Sequence, residues 1–455
     1  MTPIPGNVDV LEDIAARVEA AYLAATPASG EWYERASRSL AGGVSGPVRW
    51  FWPRPMSFVE GSGSHATDLD GRSYIDSFLC GASLMLGHRA PQIMDAIAAT
   101  ASTGSIVFNP PNVTELAEEL QAAVPAAERV RLLNSGTEAI LSALRFARAF
   151  TGRTRIVKFH GTYHGQDDQV LVGLDGRAKR LGAGIPATAV AETITLRLGD
   201  LDAIADALAS GEVAAVLLDP SMHHGGYWAA SSDHYAAIRR LCQETGTLLI
   251  FDEVISGFRL ALGGAQEVFG VVPDLAVYGK AFGAGERIGA VVGRADIMAV
   301  ADPTAHRAPF AFQSGTGNDA RNSVAAALAA IRSYRELGAA GGYTDLDARA
   351  ARLADGLHNQ FTARGLPCLT RQLGPMVRVF ITDGPDEFEH CDALDPRPVN
   401  LFHLGLVTER VFTLPGSNDF VLSFAHTDAD IDSIVDAAGR ALDRFGFERL
   451  GDSAR

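Results

Sequence analysis

Leu248-Leu249-Ile250-Phe251-Asp252-Glu253 and Leu275-Ala276-Val277-Tyr278-Gly279-Lys280 are the two stretches on which the fold turns. Each is a run of apolar residues without alternation, too short for a helix, that stops at polar residues. Such a run reads as a strand buried on both faces. Ile156–Phe159 and Val213–Leu218 have the same form. Helical patterns lie between them, at Glu138–Phe150, Leu201–Ala209 and His234–Thr245. In the first helix Leu141, Leu144 and Ala147 are expected to face a sheet, Arg145 and Arg148 to face out, and Gly152 to cap the end. Buried strands alternating with helices make an α/β fold, with a mostly parallel sheet covered on both sides.

Working outward, Leu11–Ala25 is an amphipathic helical pattern and Gly42–Pro55 an irregular Gly/Pro/aromatic loop. Phe58–Ser77 reads as a hairpin meander turning at Asp68-Leu69-Asp70-Gly71. An alanine-rich helix, Ser323–Leu337, leads into a further α/β region. The expected organisation is an N-terminal segment (1–57) contributing to a small domain and to the site, a large α/β domain (58–334) and a small C-terminal α+β domain (335–455).

The chain has 455 residues and a formal charge of −15. That balance argues against a nucleic-acid partner, which needs a basic face, and against an anionic membrane surface. There is no run of about 18 apolar residues, the length a spanning helix needs. The N-terminus lacks a basic n-region and an unbroken apolar h-region, so it does not read as a signal peptide. Cys80, Cys242, Cys368 and Cys391 form no CxxC pair. They read as buried, reduced thiols of a cytoplasmic protein rather than a disulfide or zinc framework. No metal is expected. His223-His224 cannot both face one ion from a strand, because neighbouring side chains alternate.

Ligands in open α/β sheets bind beyond the carboxyl ends of the strands. Asn134-Ser135-Gly136-Thr137-Glu138 follows Val130–Leu133; His160-Gly161-Thr162-Tyr163-His164-Gly165 follows Ile156–Phe159; Asp219-Pro220 follows Val213–Leu218. Asp252-Glu253 and Gly279-Lys280 end the two runs quoted first. Ser135-Gly136-Thr137 opens a helix, whose free N–H groups and positive dipole end suit a phosphate. The same residues also suit an ordinary N-cap. Lys280 sits among apolar residues and glycines, where a lysine has a lowered pKa and acts as a Schiff-base nucleophile; a strand-end lysine in solvent is the alternative. Asp252 could keep a pyridinium nitrogen protonated, or could be a helix cap. Together, phosphate anchor, pyridinium partner and Schiff-base lysine are the three fixtures pyridoxal phosphate requires.

Further motifs span nearly the whole chain: Gly42-Gly43-Val44 with Pro47-Val48-Arg49; Asp70-Gly71 with Tyr74-Ile75-Asp76; Leu86-Gly87-His88; Asn134 to Ala139; Tyr163-His164-Gly165; Phe251-Asp252-Glu253-Val254; Ser256-Gly257-Phe258-Arg259; Gly315-Thr316; and Ala425-His426-Thr427. On these residues the chain resembles the class III aminotransferases among fold-type I pyridoxal-phosphate enzymes, within them the glutamate-1-semialdehyde aminomutase branch. The resemblance implies a large mostly parallel-sheet domain with a smaller α+β domain, pyridoxal 5′-phosphate as cofactor, and a homodimer with shared active sites. It implies that Lys280 forms the internal aldimine and Asp252 pairs with the pyridine nitrogen. Tyr163 would stack on one ring face beside His164, and Val254 would pack on the other. Ser135, Gly136 and Thr137 would hold the phosphate, with Thr316 reaching it from the partner subunit. Arg49 matches an arginine that meets a substrate carboxylate; without the resemblance it reads as a stacked surface arginine beside Trp50, Phe51 and Trp52. His224 reads as a pocket-lining or surface residue, with a substrate contact as the sharper alternative.

Several positions depart from that pattern. Asp219-Pro220 stands where the family has Glu-Pro, and Ser45-Gly46 where the branch has Asn-Ser. The branch's glutamate ahead of Ala-His-Thr is missing; the nearest residues are Gly416-Ser417-Asn418-Asp419. Cofactor fixtures are kept while substrate-side positions drift. The expected activity is transfer of an amino group between an amino acid or amine and a carbonyl acceptor. The alternative is an intramolecular aminomutase; a racemase, a decarboxylase or a non-catalytic relative ranks lower.

Overall fold

The structure, a computed structural model, describes residues 5–174, 182–305 and 309–452. The outermost ends of the expected segments, 1–4 and 453–455, lie outside the described residues. Strands are numbered along the chain: β1 (Phe58–Ser62), β2 (His65–Asp68), β3 (Ser73–Asp76), β4 (Arg129–Leu133), β5 (Arg155–Phe159), β6 (Thr193–Leu196), β7 (Val213–Leu218), β8 (Leu248–Asp252), β9 (Leu275–Tyr278), β10 (Gly289–Gly293), β11 (Leu369–Leu373), β12 (Met376–Phe380), β13 (Val411–Phe412) and β14 (Asp419–Val421). The chain divides into two compact units, Met1–Ala90 with Thr344–Arg455, and Pro91–Tyr343.

The unit Pro91–Tyr343 is built on a seven-stranded sheet in the order β4-β10-β9-β8-β7-β5-β6. Only β10 runs antiparallel to its neighbours. Every residue of β7, β8, β9 and β10 is buried, as strands covered on both faces require. The helix Gly136–Thr151 lies on the sheet through Ala139, Ile140, Ala143, Leu144, Phe146 and Ala147. The expected stripe is thus corrected at one residue. Ile140 faces the core and Leu141 is half-buried, because a helix wrapped closely on a sheet buries a broad face rather than a narrow seam. Gly152 caps the helix at φ 71°. The alanine-rich helix Arg321–Ala339 packs on Pro91–Ala101 and Pro111–Ala123; its small side chains permit that close approach.

The other unit holds two small sheets. β1-β2-β3 is an antiparallel meander whose turn carries Gly71 at φ 74°. Asp68 organises the turn by accepting from Asp70 N, Arg72 N and the Tyr74 hydroxyl. β3 pairs in parallel with β13, Ile75 opposite Val411. That pairing is why residues 58–90 cluster with the N- and C-terminal parts rather than with the large sheet, where the sequence reading puts them. The second sheet is antiparallel, β11-β12-β14. The cysteines are all unpaired. Cys242 and Cys391 are buried as expected, but Cys80 is exposed; it sits at φ 52° in a left-handed turn that carries its side chain off the core.

Candidate active site

Five polar segments leave the carboxyl-side edge of the large sheet, and their side chains line one cavity of about 180 Å³. Its walls include Ser135, Gly136, Thr137, Tyr163, His164, Asp219, His224, Asp252, Val254 and Lys280. The structure thus brings together every sequence-expected site residue except Thr316 and Arg49.

The phosphate-type end is the start of helix Gly136–Thr151. Gly136 and Thr137 hold N–H groups that a helix leaves without an internal acceptor. The Ser135 hydroxyl accepts from Glu138 N at 3.2 Å as the N-cap, which leaves its own proton to donate into the cavity. A Cβ on Gly136 would stand 2.9 Å from Val254 Cγ2, so only glycine lets this turn lie against that wall. Gly165 has φ 93°, and a Cβ there would meet Thr137 Oγ1 at 2.6 Å.

The other end holds the carboxylates. Asp252 Oδ2 lies 2.7 Å from His164 Nδ1, and Asp252 Oδ1 accepts from Val254 N at 3.1 Å. His164 Nε2 lies 2.9 Å from Thr162 Oγ1, whose hydroxyl donates to Phe159 O at 2.6 Å. A hydroxyl has one proton, so toward His164 Thr162 only accepts, and Nε2 carries a hydrogen. The short Nδ1–Asp252 contact ties the other side of the ring to the carboxylate. Asp219 is buried and turned to its own loop. Its Oδ1 accepts from Ser221 N and Oγ, and its Oδ2 from His223 N. Burial, with the charge of Asp252 adding, pushes its pKa up.

Lys280 follows β9 at φ 47°, a left-handed conformation uncommon for a side-chain-bearing residue and characteristic of constrained functional positions. Burial pushes its ammonium down to about 8; Arg259 adds to the shift, while Asp252 and Asp219 oppose it. A larger share of neutral amine near neutral pH makes this lysine a better nucleophile. Tyr163 is half-buried on the wall, and the His224 ring meets it edge-on at 5.1 Å. His223 is buried while His224 is exposed, the divergence expected of neighbours in chain.

Thr316 is exposed and lines a separate cavity with Ile106, Phe108 and Asn318. Arg49 belongs to the other unit, where it is exposed at the wall of a cavity of about 530 Å³ with Trp32, Tyr33, Phe51 and Phe58. One residue near the pocket escapes the sequence reading. Lys158, inside the run read as an apolar strand, is fully buried on β5. The available signal was scarcity: the chain has only three lysines, Lys158, Lys179 and Lys280, among 39 basic residues. Lys179 lies outside the described residues.

The donor set fits pyridoxal phosphate. Helix N–H groups and two hydroxyls suit the phosphate, a buried acid–imidazole pair suits the ring nitrogen, and a partly neutral lysine suits the carbonyl carbon. The comparisons with known proteins agree. The family described as aminotransferase class-III matches residues 51–405. A glutamate-1-semialdehyde 2,1-aminomutase of Rhodopirellula baltica is 37% identical over 440 residues, 94% of this chain and 98% of its own length. An omega-transaminase from Sphaerobacter thermophilus superposes with a TM-score of 0.86 at 32% identity, covering 92% of this chain and 98% of its own. A beta-phenylalanine aminotransferase from Variovorax paradoxus superposes with a TM-score of 0.84 at 31% identity, covering 95% and 98%.

Proposed function

This chain belongs to the class III aminotransferases, enzymes whose cofactor is pyridoxal 5′-phosphate, and from that premise we propose that it transfers an amino group between two molecules, from an amino acid or amine to a carbonyl acceptor. One observation carries the choice over amino-group migration within one molecule. Among Gly416-Ser417-Asn418-Asp419, the residues nearest the aminomutase branch's missing glutamate, the one carboxylate is Asp419, fully buried and committed to Arg378 through both oxygens, at 2.5 and 2.6 Å. It is not available to act in the glutamate's place. The reading of the chain as an aminomutase keeps its own support, in the curated relatives of that name at 36–37% identity and in a solved structure of that name that superposes with a TM-score of 0.87 at 25% identity.

The cofactor, when bound, supplies an electrophilic carbon for amines and a ring that takes up an electron pair. The chain's residues do the rest. The N–H groups of Gly136 and Thr137 and the Ser135 and Thr137 hydroxyls hold the phosphate, with Thr316 of a second copy completing the cradle. Tyr163 and Val254 would flank the ring, and Asp252, tied to His164, would hold a proton at the ring nitrogen. Lys280 Nζ would hold the cofactor's carbonyl carbon, and as a free amine it would take the proton from the substrate's amine-bearing carbon and return one on the other side of the transfer. The donor leaves as a carbonyl compound whose oxygen comes from water, and the acceptor leaves as an amine, its carbonyl oxygen released as water. Arg49 would receive a substrate carboxylate; the cavity it lines also carries Trp32, Tyr33 and Phe51. The homodimer reading is supported by the exposed Thr316, which shares a cavity with Phe108, itself 95% exposed, an arrangement suited to a partner surface. Among the described residues no helix is long and apolar enough to cross a membrane, and the unpaired thiols fit the cytoplasm.

The test is spectroscopic. Donor amines added without acceptor should bleach the visible cofactor band, and a keto acid should restore it. Turnover of a single amino-aldehyde with no acceptor, and no bleaching by any donor, would replace this reading with the aminomutase. The Lys280→Ala variant should form no covalent link to the cofactor.

A further inference from the structure

Lys158 stands on β5, fully buried, one strand in from the sheet edge. Its ammonium donates to three backbone carbonyls, Thr162 O at 2.9 Å, Val170 O at 3.1 Å and Val172 O at 2.5 Å. Three acceptors match the three N–H bonds of an ammonium. They belong to the two ends of one loop, which leaves β5 at His160 and returns to it where Gly161 N bonds Gly173 O. Tyr163, His164 and Gly165 lie between those ends. The first carbonyl is that of Thr162, whose hydroxyl receives His164 Nε2, and His164 in turn meets Asp252. A charged side chain among the buried apolar residues Ile156, Val157 and Phe159 is costly to bury, and burial pushes this ammonium down to about 7. Its three carbonyl partners spend that cost on one loop, the one that carries two walls of the pocket.

We propose that Lys158 is a positioning residue for the cofactor ring: by clamping both ends of the 160–173 loop it fixes Thr162, and through Thr162 the orientation and protonation of His164 against Asp252. The inference rests on the assignment of the pocket to pyridoxal phosphate. It separates Lys158 from Lys280 by role: one amine reacts, the other holds the scaffold that tunes the ring.

Three variants test it: Lys158→Met, which keeps the apolar stem and removes the donors, Thr162→Val, which keeps the Lys158 contact and removes the acceptor for His164, and the two combined. In cofactor-free Lys158→Met, amide exchange over residues 161–172 should accelerate while the strands of the sheet stay protected. Its Kd for pyridoxal 5′-phosphate should rise about tenfold, the scale of one lost hydrogen bond. The visible circular dichroism of the loaded protein should weaken, and the pH midpoint of its absorption band should move. Thr162→Val should reproduce the dichroism and midpoint changes, and the double variant should add little to either, since both act through His164. If Lys158→Met lowers only the melting temperature, leaving band, midpoint and Kd as in wild type, Lys158 is a structural residue and the proposal fails. If Lys158→Met does not fold, Thr162→Val decides: an unmoved midpoint refutes the path through His164, a moved one supports it. Borohydride reduction and peptide mapping keep the two ideas apart. A label at Lys280 with unmoved spectra overturns the role of Lys158 alone, whereas a label absent from Lys280 in wild type overturns the pocket assignment itself.

Discussion

Lys280 offers a prediction whose size follows from its surroundings. Its amine titrates near 8 in place of the ordinary 10.5 because the pocket strips water from it. At pH 7 about a tenth of such an amine is neutral, against about one part in 3,000 for a lysine in water, a difference of roughly 300-fold in reactive species. Cofactor-free protein should therefore capture an aldehyde at neutral pH far faster than a peptide lysine does. Stopped-flow absorbance with salicylaldehyde, which has no phosphate, isolates the amine from the anion cradle. The capture rate should rise with pH and level off around a midpoint near 8. The sign of each neighbour can then be checked. Asp252 favours the ammonium, so Asp252→Asn should move the midpoint down, giving more neutral amine at pH 7 and a faster capture. A wild-type midpoint above about 10, or an upward move in Asp252→Asn, would refute the account of how this lysine is activated.

Three further outcomes rest on the geometry of the fold and the pocket. Gly165→Ala places a Cβ 2.6 Å from Thr137 Oγ1 at φ 93°; stability should fall by about 1–3 kcal/mol, and calorimetry should show pyridoxal 5′-phosphate losing more affinity than phosphate-free pyridoxal. Arg378→Met strands the buried Asp419 carboxylate, so urea unfolding should show a loss of about 3–5 kcal/mol, and the double variant with Asp419→Leu should recover most of it. Phe108→Glu charges the exposed ring beside Thr316; sedimentation velocity should show monomer, and activity should fall with the dimer if Thr316 serves the partner's site.

The parts of this molecule written locally in the chain were the ones legible without coordinates. A run such as Leu248–Phe251 declares itself a buried strand, and the residues just after it must sit at the sheet's edge; Lys280, Asp252 and the Ser135–Thr137 turn were found that way. Gly152 and the 68–71 turn are equally local. The grouping of 58–90 was not legible, because β3 finds its parallel neighbour β13 more than 330 residues later and nothing in either strand names the other. Lys158 was hidden for a different reason. A single lysine inside Ile156–Phe159 does not break an apolar pattern, and its meaning lies in three carbonyls that the chain brings around it only after the loop closes. The commitments of Asp219 and Asp419 are of that kind too: the residue type is visible, but whether its oxygens face a ligand or their own loop depends on folding.

The scarcity of lysine has a practical side. Positive charge on this protein is almost wholly guanidinium, which ordinary acylating reagents and aldehydes leave alone at neutral pH. Among the described residues Lys280 is the only lysine not fully buried. Among those residues, amine-directed tethering to a resin, or fluorescent tagging through activated esters, would fall on the lysine to which the proposed transfer assigns the central role. Attachment through surface carboxylates avoids that competition, whereas Cys80 lines the cavity that holds Arg49 and is the wrong handle. Conversely, labelling of Lys280 by a small amine-reactive probe, read by peptide mapping of purified protein and protected against by added cofactor, reports occupancy of the pocket.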